Sequence, residues 1–332
     1  MLDQQHGWAL TASSILKTAD GGRTWQDVTP SLFNSLANPV AVFYNPLIAW
    51  VNITKPFGGG KTYQLIHTID GGQTWTTQTA QINVPGIEVL DLNFINAHEG
   101  WMEIDEGSGA GQQAAGIVHT TDGGVSWNLV STSISPPKGV GFFSYSGRKT
   151  GLSFANSRTG WAGITTYGSK QSFAFVTHNG GITWTSQNLP LPITSFPVMG
   201  GTTPPIIFGQ DIVMPALENG GFTLYLSSNG GATWQANPQV FPSGQRTTVG
   251  KDNIYVVDPT HAWAIDSQGV VYITTDGGRS WSFHSTLQNV SQFSFISPTT
   301  GWAYSGPGQK VPTLLKTTDG GQSWSKINYS IY

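Results

Sequence analysis

The stretch Thr317-Thr318-Asp319-Gly320-Gly321-Gln322-Ser323-Trp324 occurs seven times along the 332 residues, each time with Thr/Ser, Asp/Asn, Gly-Gly, Thr/Ser and Trp in the same places. The other copies run Thr18 to Trp25, Thr68 to Trp75, Thr120 to Trp127, Thr177 to Trp184, Ser227 to Trp234 and Thr274 to Trp281. Their third residues, Asp20, Asp70, Asp122, Asn179, Asn229, Asp276 and Asp319, are 50, 52, 57, 50, 47 and 43 residues apart. That period suits one four-stranded blade. Within the octapeptide a short Asp or Asn side chain can accept backbone N–H groups a residue or two ahead, and two glycines can take the positive φ of a tight hairpin. The Trp then opens the next strand and brings apolar area to the core between neighbouring sheets.

A second repeat lies upstream of the first: Gly7-Trp8, Ala49-Trp50, Gly100-Trp101, Gly160-Trp161, Ala262-Trp263 and Gly301-Trp302. The two repeats together use all thirteen tryptophans, so tryptophan reads as scaffold. The copy at Asn229 has Asp211-Ile212-Val213-Met214 in place of the second Trp. Alternation in Val89-Leu90-Asp91-Leu92-Asn93-Phe94 predicts a strand from Ile87 to Phe94, followed by strands over Gly100 to Glu103, Ala115 to Thr120 and Ser126 to Val130. The expected fold is all-β: one seven-bladed β-propeller of four-stranded antiparallel blades, with the octapeptide turn between third and outer strands. Residues 1–332 then divide near 1–31, 37–83, 86–132, 148–188, 194–238, 250–286 and 289–332. Only Met1 to His6 precede Gly7-Trp8, so the first blade is expected to be short of its inner strand.

Forty-two glycines, 12% aromatic and 10% charged residues suit short strands and tight turns rather than long amphipathic helices. A net charge of −3 offers no field for nucleic acid. With no cysteine there are no disulfides, thiolate metal sites or thiol nucleophiles. No apolar run reaches the length of a membrane span. This composition suits an exported bacterial protein, extracellular or at the cell surface, monomeric, whose leader lies outside this sequence.

The paired repeats, seen together in Thr299 to Trp324, resemble the BNR/Asp-box superfamily over essentially the whole chain. That group includes sialidases, xyloglucan-cleaving hydrolases, sortilin-type receptors and photosystem II stability/assembly factors, and the chain is most similar to the last. The resemblance implies a seven-bladed propeller and leaves the function to be read from the site. The assembly factors' basic patch does not carry over residue by residue, because fifteen Lys and Arg are scattered over seven repeats. A sialidase of this group needs three convergent arginines. Arg23 and Arg279 sit inside octapeptides and Arg158 in a turn, which leaves only Arg148 and Arg246.

A glycoside hydrolase using two carboxylates is the alternative reading, with Glu103, Asp105 and Glu106, in the loop after Trp101, as its candidate acids. The same three, with Glu218 and Asp266, read more readily as solvated loop charges. Six of the seven histidines fall at repeated places, His6, His98 and His261 by the turn before a Trp strand, His67 and His119 just before an octapeptide and His178 inside one, and no pair has metal-ligand spacing, so neither metal nor cofactor is expected.

The preferred reading is a non-catalytic binding or scaffolding propeller that engages a polypeptide or extended polysaccharide through the face opposite the octapeptides. The longest link between blades, 34 residues from Trp127 to Trp161, lies in the sector with the longest loops. It supplies Phe142, Phe143, Tyr145, Arg148 and Lys149, and neighbouring loops add Lys55, Phe57 and Tyr167. Aromatics would anchor the partner and the basic groups would orient it.

Overall fold

The computed structural model describes residues 1–33, 39–54, 62–82, 88–169, 172–191, 198–218, 221–238, 240, 254–266, 269–287, 290–305 and 312–332. Every regular element among them is a strand. The first sheet holds Gly7–Leu10, Ile15–Thr18 and Thr24–Asp27, with Ser330–Ile331 added in parallel on its outer edge. The second runs Ala41–Phe43, Ala49–Asn52, Thr62–Thr68, Thr76–Gln81; the third runs Glu88–Phe94, Gly100–Gly109, Gln112–Thr120, Asn128–Thr132, with a parallel fifth strand at Gly141–Phe142. A nine-stranded sheet spans Arg148–Phe154 to Gln235–Ala236, and two four-stranded sheets cover Ile254–Val256 to Ser282–Thr286 and Val290–Phe295 to Ser325–Ile327. The described strands therefore form six hydrogen-bonded sheets, where the sequence predicts seven separate ones.

The octapeptide turns are alike in detail. Thr18 Oγ1 accepts the Gly22 N–H and donates to Asp20, whose carboxylate accepts the N–H groups of Arg23 and Thr24 and the Thr24 hydroxyl. The Asp thus serves donors three and four residues on, further than the one or two expected. Gly21 and Gly22 sit at φ 75° and 93°, which a side chain would resist. Asn179 and Asn229 keep the backbone bond through Oδ1, while Nδ2 donates to the Thr183 or Thr233 hydroxyl. In every repeat the N–H of the first glycine reaches back to the turn that precedes the hairpin leading into its octapeptide, as Gly123 does to His98 O and Gly320 to Thr299 O. Both turns therefore share one face.

These bonds depress the carboxylates. Partial desolvation would raise Asp20, but Thr24, Thr18 and Arg23 outweigh it and hold the group at about 2. Asp276 reaches about 2 by the same balance, and at Asp70 the Thr74 hydroxyl and N–H lead, again to about 2. A depressed carboxyl adds stability above its ordinary pKa and loses it as pH falls through the folded value. The thermal midpoint should therefore drop between about pH 4 and pH 2. Changing Asp20, Asp70 and Asp276 together to Asn should flatten that acid limb in calorimetry; an unaltered limb would mean the turns do not control it.

Indoles join one sheet to the next. Trp50 Nε1 donates to Gly123 O, Trp101 to Gly180 O, Trp263 to Gly320 O and Trp302 to Gly21 O, at 2.8 to 3.0 Å. Each acceptor is the first glycine of the following repeat, and Trp302 carries the series from the last sheet back to the first. Elsewhere another side chain substitutes: Lys17 Nζ reaches Gly71 O, Gln187 reaches Gly231 O and Asn237 reaches Gly277 O. The glycine before Trp has its own cause. A Cβ on Gly100 would lie 2.5 Å from the Phe94 ring, which stacks on Trp50 at 3.8 Å; Gly160 with Phe154, and Gly301 with Phe295, repeat the arrangement.

Candidate functional site

The sector between the third sheet and the start of the nine-stranded sheet contains most of the residues expected at a binding site. Strand Gly100–Gly109 is longer than predicted because Ala110 and Gly111, both at positive φ, turn it tightly into Gln112–Thr120. Glu103, Asp105 and Glu106 consequently lie on a strand and not in a loop, with exposures of 0%, 6% and 9%. This corrects the reading of them as solvated loop charges.

Each has buried company. Asp105 accepts Gln113 Nε2 at 2.7 Å and the Gly107 N–H. Glu106 accepts the Thr132 hydroxyl at both oxygens and the Ser133 N–H. Burial pushes the Glu106 carboxyl up, against those hydrogen bonds. Lys149 is 8% exposed and points its ammonium inward to Gln113 O at 3.0 Å and Ser146 O at 3.1 Å, beside the rings of Phe143 and Phe175. Burial pulls Lys149 down to about 8, while Glu103 and then Asp105 oppose the shift.

The long link is pinned on this charged cluster. Gly141–Phe142 runs beside Asn128–Thr132, and the Phe143 N–H bonds Thr132 O. Phe143 is fully buried, 5.5 Å from Phe175 and 5.0 Å from Trp184 between ring centroids. Phe143 and Lys149 are therefore packing and counter-charge residues, unavailable to a partner. Strand alternation explains the first of these: adjacent residues face opposite ways, so burying Phe143 turns Phe142 outward.

Phe142 and Tyr145 are 51% and 49% exposed, and their rings meet edge to face at 6.3 Å. Tyr145 O accepts the Gln113 N–H, which places it next to the Ala110-Gly111 turn, at the end of the sheet away from the octapeptides. Ile134, Pro136, Pro137, Lys138 and Arg148 are exposed on the same segment. Lys55 and Phe57 lie outside the described residues, as do the side chains of Tyr167 and Glu218. Asp266 is buried and accepts the Val270 N–H. The aromatic pair on a fixed segment is the feature best suited to recognition.

Sheets joined in a circle, with their repeated turns on one face, make this chain a β-propeller. Its fold is of the YCF48 type. A solved structure described as YCF48 bound to D1 peptide aligns with a TM-score of 0.61 and 21% identity over 96% of this chain and 89% of that one. YCF48 from Cyanidioschyzon merolae aligns with 0.58 and 20% identity over 97% and 94%, and the Dos1 propeller with 0.54 and 8% over 95% and 75%. No family model matches the chain, and no curated protein matches it in sequence.

Proposed function

We propose that this propeller is a non-catalytic scaffold that binds a polypeptide through the surface built by Phe142, Tyr145 and Arg148. The observation that carries the reading is the pair of half-exposed aromatic rings set on a segment whose neighbours, Phe143 and Lys149, are locked in the core. Rigid aromatics lose little conformational entropy on binding, which is why they dominate interface energetics. The YCF48 structure with a bound D1 peptide supports a peptide as the class of partner. The hydrolase alternative draws nothing from Glu103, Asp105 and Glu106, which are engaged with Lys149, Gln113, Thr132 and Ser133.

The blade count belongs to the same reading. The nine-stranded sheet contains two octapeptides, and its halves meet where Thr165–Ser169 pair with Val198–Gly201. Taking those halves as two blades gives, with the five other sheets, the seven blades of this reading.

Phage selection of a peptide library on the immobilised chain supplies the test. Replacing Phe142, Tyr145 and Arg148 together with Ala should weaken the selected peptides by at least about tenfold, since each buried interface anchor is worth roughly 1.4 kcal/mol or more. The melting temperature should stay nearly unchanged because all three side chains are exposed. Undiminished binding would remove the proposal.

A further inference from the structure

Three Asn-Gly sequences occur in the chain: Asn179-Gly180, Asn219-Gly220 and Asn229-Gly230. The second lies outside the described residues, and the other two fill the third and fourth places of octapeptides whose five sisters carry Asp-Gly there. Asparagine before glycine is the pairing most open to succinimide formation, because no side chain on the glycine shields its nitrogen. That nitrogen forms a bond to Asn Cγ, the Cγ–Nδ2 bond breaks, and ammonia leaves with the proton the nitrogen gives up. Water then opens the ring, at the side-chain carbonyl to give Asp or at the main-chain carbonyl to give isoaspartate.

In the folded turn each participant is held away from that reaction. The Gly180 N–H is engaged by Arg158 O and the Gly230 N–H by Gln210 O, both at 2.9 Å. Asn179 Oδ1 accepts the Thr183 N–H and the Thr177 hydroxyl, while Nδ2 donates to Thr183 Oγ1. Asn229 repeats this with Thr233 and Ser227. Ring closure needs these bonds released together, although both asparagines are exposed to water.

The turn is already shaped for one of the two products. Asp70 takes the Thr68 hydroxyl and the Thr74 N–H on Oδ1 and the Thr74 hydroxyl on Oδ2, the pattern of Asn179 with one hydrogen bond reversed. Conversion of Asn179 to Asp therefore asks only that the Thr183 hydroxyl change from accepting to donating. The contact gains charge and shortens, 2.6 Å at Asp70 against 2.9 Å at Asn179. A new carboxylate at 179 also meets no like charge nearby in sequence, since no Asp or Glu lies between Asp122 and Asp211. Isoaspartate, with an atom more in its main chain and an atom fewer in its side chain, breaks the register of every one of these bonds.

We propose that Asn179 and Asn229 are deamidation sites gated by opening of their turns, which the Asp product closes again more firmly and the isoaspartate product cannot close. The sites are separate from the Phe142 and Tyr145 surface and stand or fall without it.

The chain is incubated folded and in urea in the same mildly alkaline buffer, and its peptides are read by mass and by labelling with an isoaspartyl methyltransferase. Conversion of Asn179 and Asn229 should be at least about tenfold slower in the folded chain, since opening breaks several hydrogen bonds. Thr183→Val removes one restraint and should speed conversion of folded Asn179 by about threefold or more, leaving Asn229 at its own rate. A chain carrying Asn179→Asp and Asn229→Asp should melt about 1–3 °C higher at neutral pH, and refolded chains bearing isoaspartate should melt lower than the unaltered one. If Thr183→Val does not fold, the comparison with urea, which needs no substitution, decides. The proposal is overturned by equal rates in the two states, by no conversion in urea, by an unchanged Asn179 rate in folded Thr183→Val, by a double Asp variant that melts no higher, or by isoaspartate that leaves the melt unaltered.

Discussion

Replacing Lys149 with Met should destabilise the propeller by about 3–5 kcal/mol, the cost of leaving buried carboxylates without their counter-charge. Lys149 is 8% exposed, and Glu103, fully buried, is the carboxylate that most strongly opposes the lowering of its pKa. The methionine fills the same space beside Phe143 and Phe175, so the loss measures charge and not a cavity. The double change Lys149→Met with Glu103→Gln should recover much of it, a coupling that a double-mutant cycle reads directly. The cluster also sets a pH dependence. An amine whose folded pKa is lowered to about 8 binds fewer protons folded than unfolded. Stability should therefore rise with pH from about 8 toward the ordinary lysine range near 10.4, and that rise should be missing from Lys149→Met. Parallel pH series of denaturant melts check both; matched curves would mean the ammonium is not coupled to the fold.

Trp101→Ala should cost a similar amount, about 3–5 kcal/mol, through a different mechanism. Trp101 is fully buried, stacks on Phe154 at 3.7 Å and on His119 at 4.6 Å, and donates to Gly180 O at 3.0 Å. Removing it empties the joint between two neighbouring sheets and leaves a glycine carbonyl without its donor. Trp8→Ala should cost less, because Trp8 is 8% exposed where Trp101 is fully buried, and its indole N–H reaches Asn45 O, not a glycine of the next repeat. Urea unfolding of the two variants, with Trp101→Phe as an intermediate, ranks them. Equal losses would show that the joints contribute evenly despite their different geometry.

The octapeptides and both tryptophan series were legible in the sequence because their constraints are local. Two glycines at positive φ, a hydroxyl two residues before an Asp, and an indole cannot be exchanged for other types at fixed spacing. The phenylalanine six residues before three of the four Gly-Trp pairs, at Phe94, Phe154 and Phe295, was equally visible and would have explained the glycine. Glu103, Asp105 and Glu106 were misread because their surroundings are supplied by distant chain: Lys149, Gln113, Thr132 and Ser133 come together only through sheet pairing. Charges in a polar, glycine-containing stretch look the same whether water or Lys149 neutralises them. Phe142 and Phe143 were likewise indistinguishable until Gly141–Phe142 proved to be a strand, whose alternation sends one ring outward and the other in.

Side-chain bonds to octapeptide glycines run all the way round, four from indoles and three from Lys17, Gln187 and Asn237. A linear stack of repeats frays from its terminal units, each of which has a neighbour on one side only. A hoop offers no such starting point, since letting go of any segment means breaking contacts on both its flanks at once. Melting of this chain should therefore be concerted, with damage at one joint felt across the whole circumference.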